Sequence, residues 1–135
     1  MFTLSKIYNS GVNVAEPCRM YTASNTAYRI GSALVLTDGK LTNAGASDKP
    51  LYIAAESAVA NEKSTVLCYP VSSNMIFEVP VADVPTGIKI GNKVTLAVTD
   101  GFASKVGIST EGGVATVVDT CGATKSDDKI FVKFE

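Results

Sequence analysis

A motif that occurs twice constrains the fold of this 135-residue chain more than any other feature. The first copy runs from Ile30 to Gly39 and the second, two residues longer, from Ile90 to Gly101. In each copy an Ile-Gly pair leads into an apolar, β-branched run that ends in Thr-Asp-Gly. Asp-Gly after such a run favours a two-residue hairpin, because both residues tolerate the positive φ of a type I′ turn. The motif therefore predicts two equivalent hairpins.

The segments that follow each copy are also alike in plan. Further strands are expected at 40–42, 51–55 and 65–71 after the first copy, and at 102–108, 114–118 and 130–134 after the second. We interpret residues 30–71 and 90–134 as two pseudo-repeats of one four-strand unit. In the last strand Ile130, Val132 and Phe134 share one face, which we expect to be buried.

Short β-branched strands separated by turns every eight to twelve residues are typical of all-β proteins. We expect an all-β fold, a compact β-barrel or β-sandwich built from two similar four-strand units. Residues 28–135 would form this single β domain. Residues 1–27 differ from the rest because Gly11 and Pro17 interrupt their alternation. They are either an extended N-terminal arm that lies on a partner or an edge strand of the chain's own sheet.

Composition excludes several classes of function. The chain is 46% hydrophobic and 19% charged, with a formal net charge of −1. Such a balance argues against nucleic acid as a partner, which requires an excess of Lys and Arg. No apolar run approaches the ~20 residues of a membrane-spanning helix, so we expect no membrane partner. The N-terminus lacks a basic region followed by an apolar core, which predicts synthesis in a cytoplasm without a signal peptide.

Nothing in the sequence indicates catalysis. Histidine, the commonest general base and metal ligand, is absent. Cys18, Cys68 and Cys121 are an odd number of widely spaced thiols, which is weak support for a disulfide framework, and we interpret them as small apolar residues. Asp38 and Asp100 are explained by their turns. We expect no enzyme activity, no catalytic residues, no metal and no cofactor.

Two stretches carry a family resemblance. They are Ile-Gly-x-Ala-Leu-x-Leu-x-Asp-Gly-Lys-Leu-Thr at 30–42 and Asp-Lys-Pro-x-Tyr-Ile-Ala at 48–54. This order resembles the head decoration (capsid cement) proteins of tailed bacteriophages, and the second Ile-Gly and the C-terminal Val-Lys-Phe extend the resemblance over 28–134. It implies a structural protein on the capsid surface of a virion, made in a bacterial host cytoplasm. Such a protein binds the outside of the expanded capsid and stabilises contacts between capsomers.

The resemblance also implies partners. These are the major capsid protein and further copies of the chain, as a homotrimer on the shell. We expect the contacts in the arm and in the segment from Met75 to Val81, with the arm mobile in the free protein and ordered on the shell. The candidate contact residues are Val12, Val14, Arg19, Tyr21, Tyr28, Met75 and Phe77.

Other functions fit the same composition. A virion-displayed adhesion or carbohydrate-binding module would show clustered exposed aromatic residues on one face. A tail or baseplate structural protein would assemble into rings or tubes without capsid protein. A small β enzyme is disfavoured by the absence of histidine.

Overall fold

The computed structural model describes residues 1–12 and 14–135, and this part of the chain contains strands, turns and loops but no helix. The all-β prediction is confirmed. Within the described residues the strands are β1 Thr3–Ile7, β2 Cys18–Tyr21, β3 Ala33–Thr37, β4 Lys40–Asn43, β5 Tyr52–Ala54, β6 Thr65–Pro70, β7 Met75–Pro80, β8 Lys93–Val94, β9 Leu96–Thr99, β10 Phe102–Val106, β11 Ala115–Asp119 and β12 Lys129–Lys133.

Two five-stranded sheets pack in a sandwich-like arrangement. The first sheet has the order β2-β6-β5-β3-β4 and the second the order β1-β7-β12-β11-β8, while β9 and β10 pair separately. All pairings between these strands are antiparallel. In the first half β2, which precedes the motif, pairs with β6, the last strand. In the second half β7 precedes the motif and pairs with β12, again the last strand.

Both Asp-Gly pairs form the turns that the motif predicts. Asp38 and Gly39 have φ of 51° and 76°, and Asp100 and Gly101 have φ of 55° and 84°. The flanking residues pair directly, Thr37 with Lys40 and Thr99 with Phe102 in the other hairpin. The two-residue hairpins are therefore confirmed.

The second copy of the motif forms two strands where the first copy forms one. The break falls at Thr95, whose N–H donates to the carbonyl of Ser109 and whose carbonyl accepts from Gly107. Before the break β8 pairs with β11, and after it β9 pairs with β10. The hairpin thereby leaves the second sheet, and the N–H of Leu96 donates to Ala46 of the first half.

The first sheet curls until its edges meet. Thr22, just after β2, forms a parallel bridge with Leu41 of β4. Inside the curl Tyr28 is buried, and its hydroxyl donates to the Leu41 carbonyl (2.7 Å) and accepts from the N–H of Ala23 (3.1 Å). This hydroxyl satisfies two backbone groups that the curl places away from solvent.

The larger core is centred on the second sheet. Phe2, Phe77 and Phe134 form a triangle with ring centroids 5.5–6.3 Å apart. The predicted inner face of the last strand, residues 130, 132 and 134, is buried as expected. Ala33, Ala44 and Ile53 of the first half belong to the same cluster, so this core joins the two halves.

The N-terminal segment begins and ends in the chain's own sheets. β1 is an edge strand paired with β7, and β2 is an edge strand paired with β6. At β1 and β2 the segment therefore forms edge strands of the chain's own sheets, the second of the two interpretations. Val12 and Val14 lie exposed between the strands. Asn13, also inside the predicted arm, lies outside the described residues.

Candidate contact surface

An apolar cleft of about 310 Å³ lies where the two sheets meet, and we call it the junction cleft. Residues 1–4 and Phe77 of the second sheet line it together with Ile53–Ala55 and Tyr69 of the first sheet. The remaining lining residues are Val14, Ala15, Ile30 and Gly31. The cleft therefore combines residues of the 1–27 segment, the start of the first motif copy and both sheets.

Gly31 sets the shape of the cleft. Its carbonyl accepts from the N–H of Phe2 (2.7 Å), and its own N–H donates to Ala54 (2.8 Å). Its φ is +78°, and a Cβ at this position would lie 2.3 Å from the Cβ of Met1. Glycine is needed here both for the backbone conformation and for the close approach of Met1.

The rim of the junction cleft is apolar and exposed. Met1, Val14 and Ile30 keep 53%, 76% and 46% of their surface accessible, whereas Phe2 and Phe77 in the floor are buried. Partial burial, reinforced by repulsion from nearby lysines, lowers the pKa of the Met1 amine. A concave apolar site with an exposed apolar rim is a surface that a partner stabilises by covering it.

The structure separates the predicted contact residues into two groups. Val12, Val14, Arg19 and Tyr21 are exposed, and Met75 is half-buried. These five remain available to a partner, and their role in contact stays a prediction.

Tyr28 and Phe77 are core residues, which corrects their assignment as contacts. Tyr28 fills the interior of the first sheet, and Phe77 packs against the rings of Phe2 and Phe134. Only 3% of Tyr28 and 2% of Phe77 is accessible, so neither lies on the outer surface, and Phe77 can be touched only by a group that enters the junction cleft. Alternation along β7 does not reveal the burial of Phe77, because the adjacent Ile76, on the opposite face, is buried as well.

The exposed candidates do not form one patch. Val14 borders the junction cleft, whereas Tyr21 borders a polar groove that Lys40, Asn61 and Lys63 also line.

Met1 and Ile30, at the rim of the junction cleft, were not among the contact residues predicted from the sequence. Ile30 could have been noticed because it immediately precedes the glycine of the motif, where an apolar residue outside the strand has no obvious core partner.

Arg19 is held in a surface ion-pair network. Its guanidinium lies 3.2 Å from Glu56, which also pairs with Lys63 at 3.1 Å and accepts the N–H of Leu67 at 3.0 Å. The hydrogen bond from Leu67, with that from Lys63, lowers the pKa of the Glu56 carboxyl. Arg19 therefore already has an ion-pair partner within the chain.

Neither a metal-binding cluster nor a membrane-spanning helix occurs within residues 1–12 and 14–135. No group of three or more His, Cys, Asp or Glu side chains among them is placed to hold a metal ion. No helix in the part of the chain that the structure describes is long and apolar enough to cross a membrane.

Comparison with known proteins gives a structural neighbour. No protein-family model matches the chain, and no curated protein matches it. Among solved structures it is similar to the N base of the head fiber gp8.5 in bacteriophage phi29, with a TM-score of 0.57 and 11% sequence identity. The match covers 89% of this chain and 95% of that chain. At this identity the likeness shows a shared fold.

Proposed function

We propose that this chain is a structural protein of a bacteriophage virion that binds the outside of the expanded head and stabilises contacts between capsomers. Two arguments support the virion role: the sequence resemblance to head decoration proteins, and a fold shared with the base of a phage head fiber. The observation that carries the contact is the exposed apolar rim of the junction cleft, formed by Met1, Val14 and Ile30.

The proposed partner is the major capsid protein, which inserts an apolar side chain or extended segment into the cleft. Full burial of an aliphatic side chain contributes about 1.5–3 kcal/mol. Covering three rim residues that are already partly buried contributes less than the sum, so a single copy binds weakly. A homotrimer that engages three such sites at once gains affinity through effective concentration.

The low net charge also predicts how the contact responds to salt. Contacts dominated by apolar burial depend little on ionic strength, whereas contacts between oppositely charged surfaces weaken as salt screens them. The net charge of −1 and the apolar side chains of the rim therefore predict shell binding that persists in high salt.

Co-sedimentation with the expanded capsids and the unexpanded procapsids of its own phage tests the proposal, scored as copies bound per shell. Stoichiometric binding to expanded shells alone is expected. Binding to neither shell by the folded protein would overturn it, and self-assembly into rings or tubes would favour a tail component instead.

The repeated motif supplies a matched pair of variants. Ile30 lies at the cleft, and Ile90 holds the same place in the second copy, is 67% exposed and lies outside the residues that line the cleft. Ile30→Asp is expected to weaken binding at least ~10-fold, because a carboxylate would be desolvated in the contact. Ile90→Asp should bind as the unaltered protein does. Equal effects of the two would remove the cleft from the contact.

A further inference from the structure

Two of the three thiols face each other across a strand pair. Cys18 of β2 and Cys68 of β6 are directly opposite in the antiparallel register, although 50 residues separate them in sequence. Their Sγ atoms are 3.9 Å apart. Cys68 is buried, whereas Cys18, on the edge strand, is partly exposed. A reagent can therefore reach one member of the pair.

The backbone spacing suits a covalent link. Directly opposite residues of an antiparallel pair have Cα atoms about 4.5–5.5 Å apart. Disulfides span Cα separations of about 4.4–6.8 Å. The thiols already point toward one another, so closing the gap to bonding distance requires side-chain rotation and small backbone adjustment.

We propose that Cys18 and Cys68 are a modification site, which a low-molecular-weight disulfide such as glutathione disulfide converts into an intramolecular disulfide joining β2 to β6. This inference concerns the chain alone and stands independently of the proposed function. The two thiols are free as they occur in the structure.

The reaction proceeds by two thiol–disulfide exchanges. The Cys18 thiolate attacks one sulfur of glutathione disulfide, whose S–S bond breaks, and one glutathione thiolate leaves and takes up a proton. Cys68 then loses its proton to hydroxide and attacks the Cys18 sulfur of the mixed disulfide, releasing the second glutathione thiolate, which is protonated by water. Two electrons pass from the protein thiols to the reagent, which ends as two thiols.

The different burial of the two thiols determines which of them reacts first. Burial, together with the neighbouring Cys18, raises the pKa of Cys68 to about 12, so Cys68 remains a thiol at neutral pH. Only the thiolate is nucleophilic. Cys18 is therefore the attacking residue and Cys68 the resolving residue, and the second exchange accelerates as pH rises through the alkaline range.

The experiment uses Cys121→Ser, which removes the exposed third thiol and leaves the pair intact. The protein is incubated with excess glutathione disulfide, alkylated, and analysed by intact mass and non-reducing peptide mapping. The expected product has lost both free thiols and two hydrogen masses, carries no glutathione and contains a Cys18–Cys68 peptide link. Two unreacted thiols, a stable glutathione adduct, or only intermolecular dimers would overturn the proposal.

A stability measurement separates the link from incidental oxidation. A disulfide that closes a loop of this length raises the melting temperature of a domain of this size by roughly 10 °C. Reduction should reverse the increase. In Cys68→Ser combined with Cys121→Ser, the reaction should stop at the Cys18 adduct without that increase. An equal increase in this control would also overturn the proposal.

Discussion

The two halves of the molecule share a strand order but differ in how their strands are divided between sheets and in the residues that fill their cores. The first sheet curls until β2 and β4 meet, and Tyr28, small aliphatic residues and Cys68 fill it. In the second half Val81, just after β7, makes the equivalent parallel bridge with Val106 of β10. There, however, the β9–β10 hairpin pairs separately from the sheet, and β1 is an additional outer strand. Three phenylalanine rings fill the space that results. The two copies of the motif therefore pack differently, although their sequences are alike.

The largest expected difference between the halves concerns their cores. Phe77→Ala should lower the free energy of unfolding by about 4 kcal/mol, because it leaves a cavity in the core that joins the two halves. Leu34→Ala, in the first-sheet core, should cost about 3 kcal/mol. Urea unfolding measures both. A loss below about 1 kcal/mol for Phe77→Ala would contradict a shared core centred on the second sheet.

An intermediate effect is expected at the glycines that open the two motifs. Gly31 and Gly91 have φ of +78° and +91°, so alanine is strained at either position, by about 1–2 kcal/mol. At Gly31 the new Cβ also collides with Met1, whereas nothing lies within 4 Å at Gly91. Gly31→Ala should therefore be the more destabilising and should also weaken the proposed shell binding. Equal unfolding free energies for the two variants would show that Met1 moves aside without cost.

The smallest expected effect is pH-dependent and belongs to the first half. Because the folded state lowers the pKa of Glu56 below its ordinary value of 4.5, its contribution to stability is present above that value. The contribution is lost as pH falls through the lower, folded-state pKa. Glu56→Gln should cost at most about 1 kcal/mol at neutral pH. Thermal melts from pH 7 to pH 3 should show the variant and the unaltered protein converging in acid, and parallel curves would contradict this.

Local signals in the sequence were sufficient for the hairpins and the last strand. The Asp-Gly turns depend on two residues each, and the inner face of β12 follows from simple alternation. The break at Thr95 was not predicted, although the second copy of the motif is two residues longer than the first. A longer copy can bulge, bend or split, and pairing with distant strands decides among these outcomes.

Contacts between distant segments could not be predicted in this way. The junction cleft combines Met1, Val14, Ile30 and Ile53 from four separate segments. The pairing of β2 with β6 joins residues about 50 positions apart, and it is this register that places Cys18 beside Cys68. The burial of Tyr28 likewise depends on the curl of the whole first sheet rather than on its neighbours in sequence.

The bridge between Thr22 and Leu41 has a consequence for behaviour at high concentration. An unpaired strand edge is a template on which another chain can add by hydrogen bonding, and so it promotes aggregation. In the first sheet each outer strand shields part of the other. In the second half the parallel bridge between Val81 and Val106 gives β10 the same partial cover. Partial cover in both halves is expected to limit strand addition between copies of the chain.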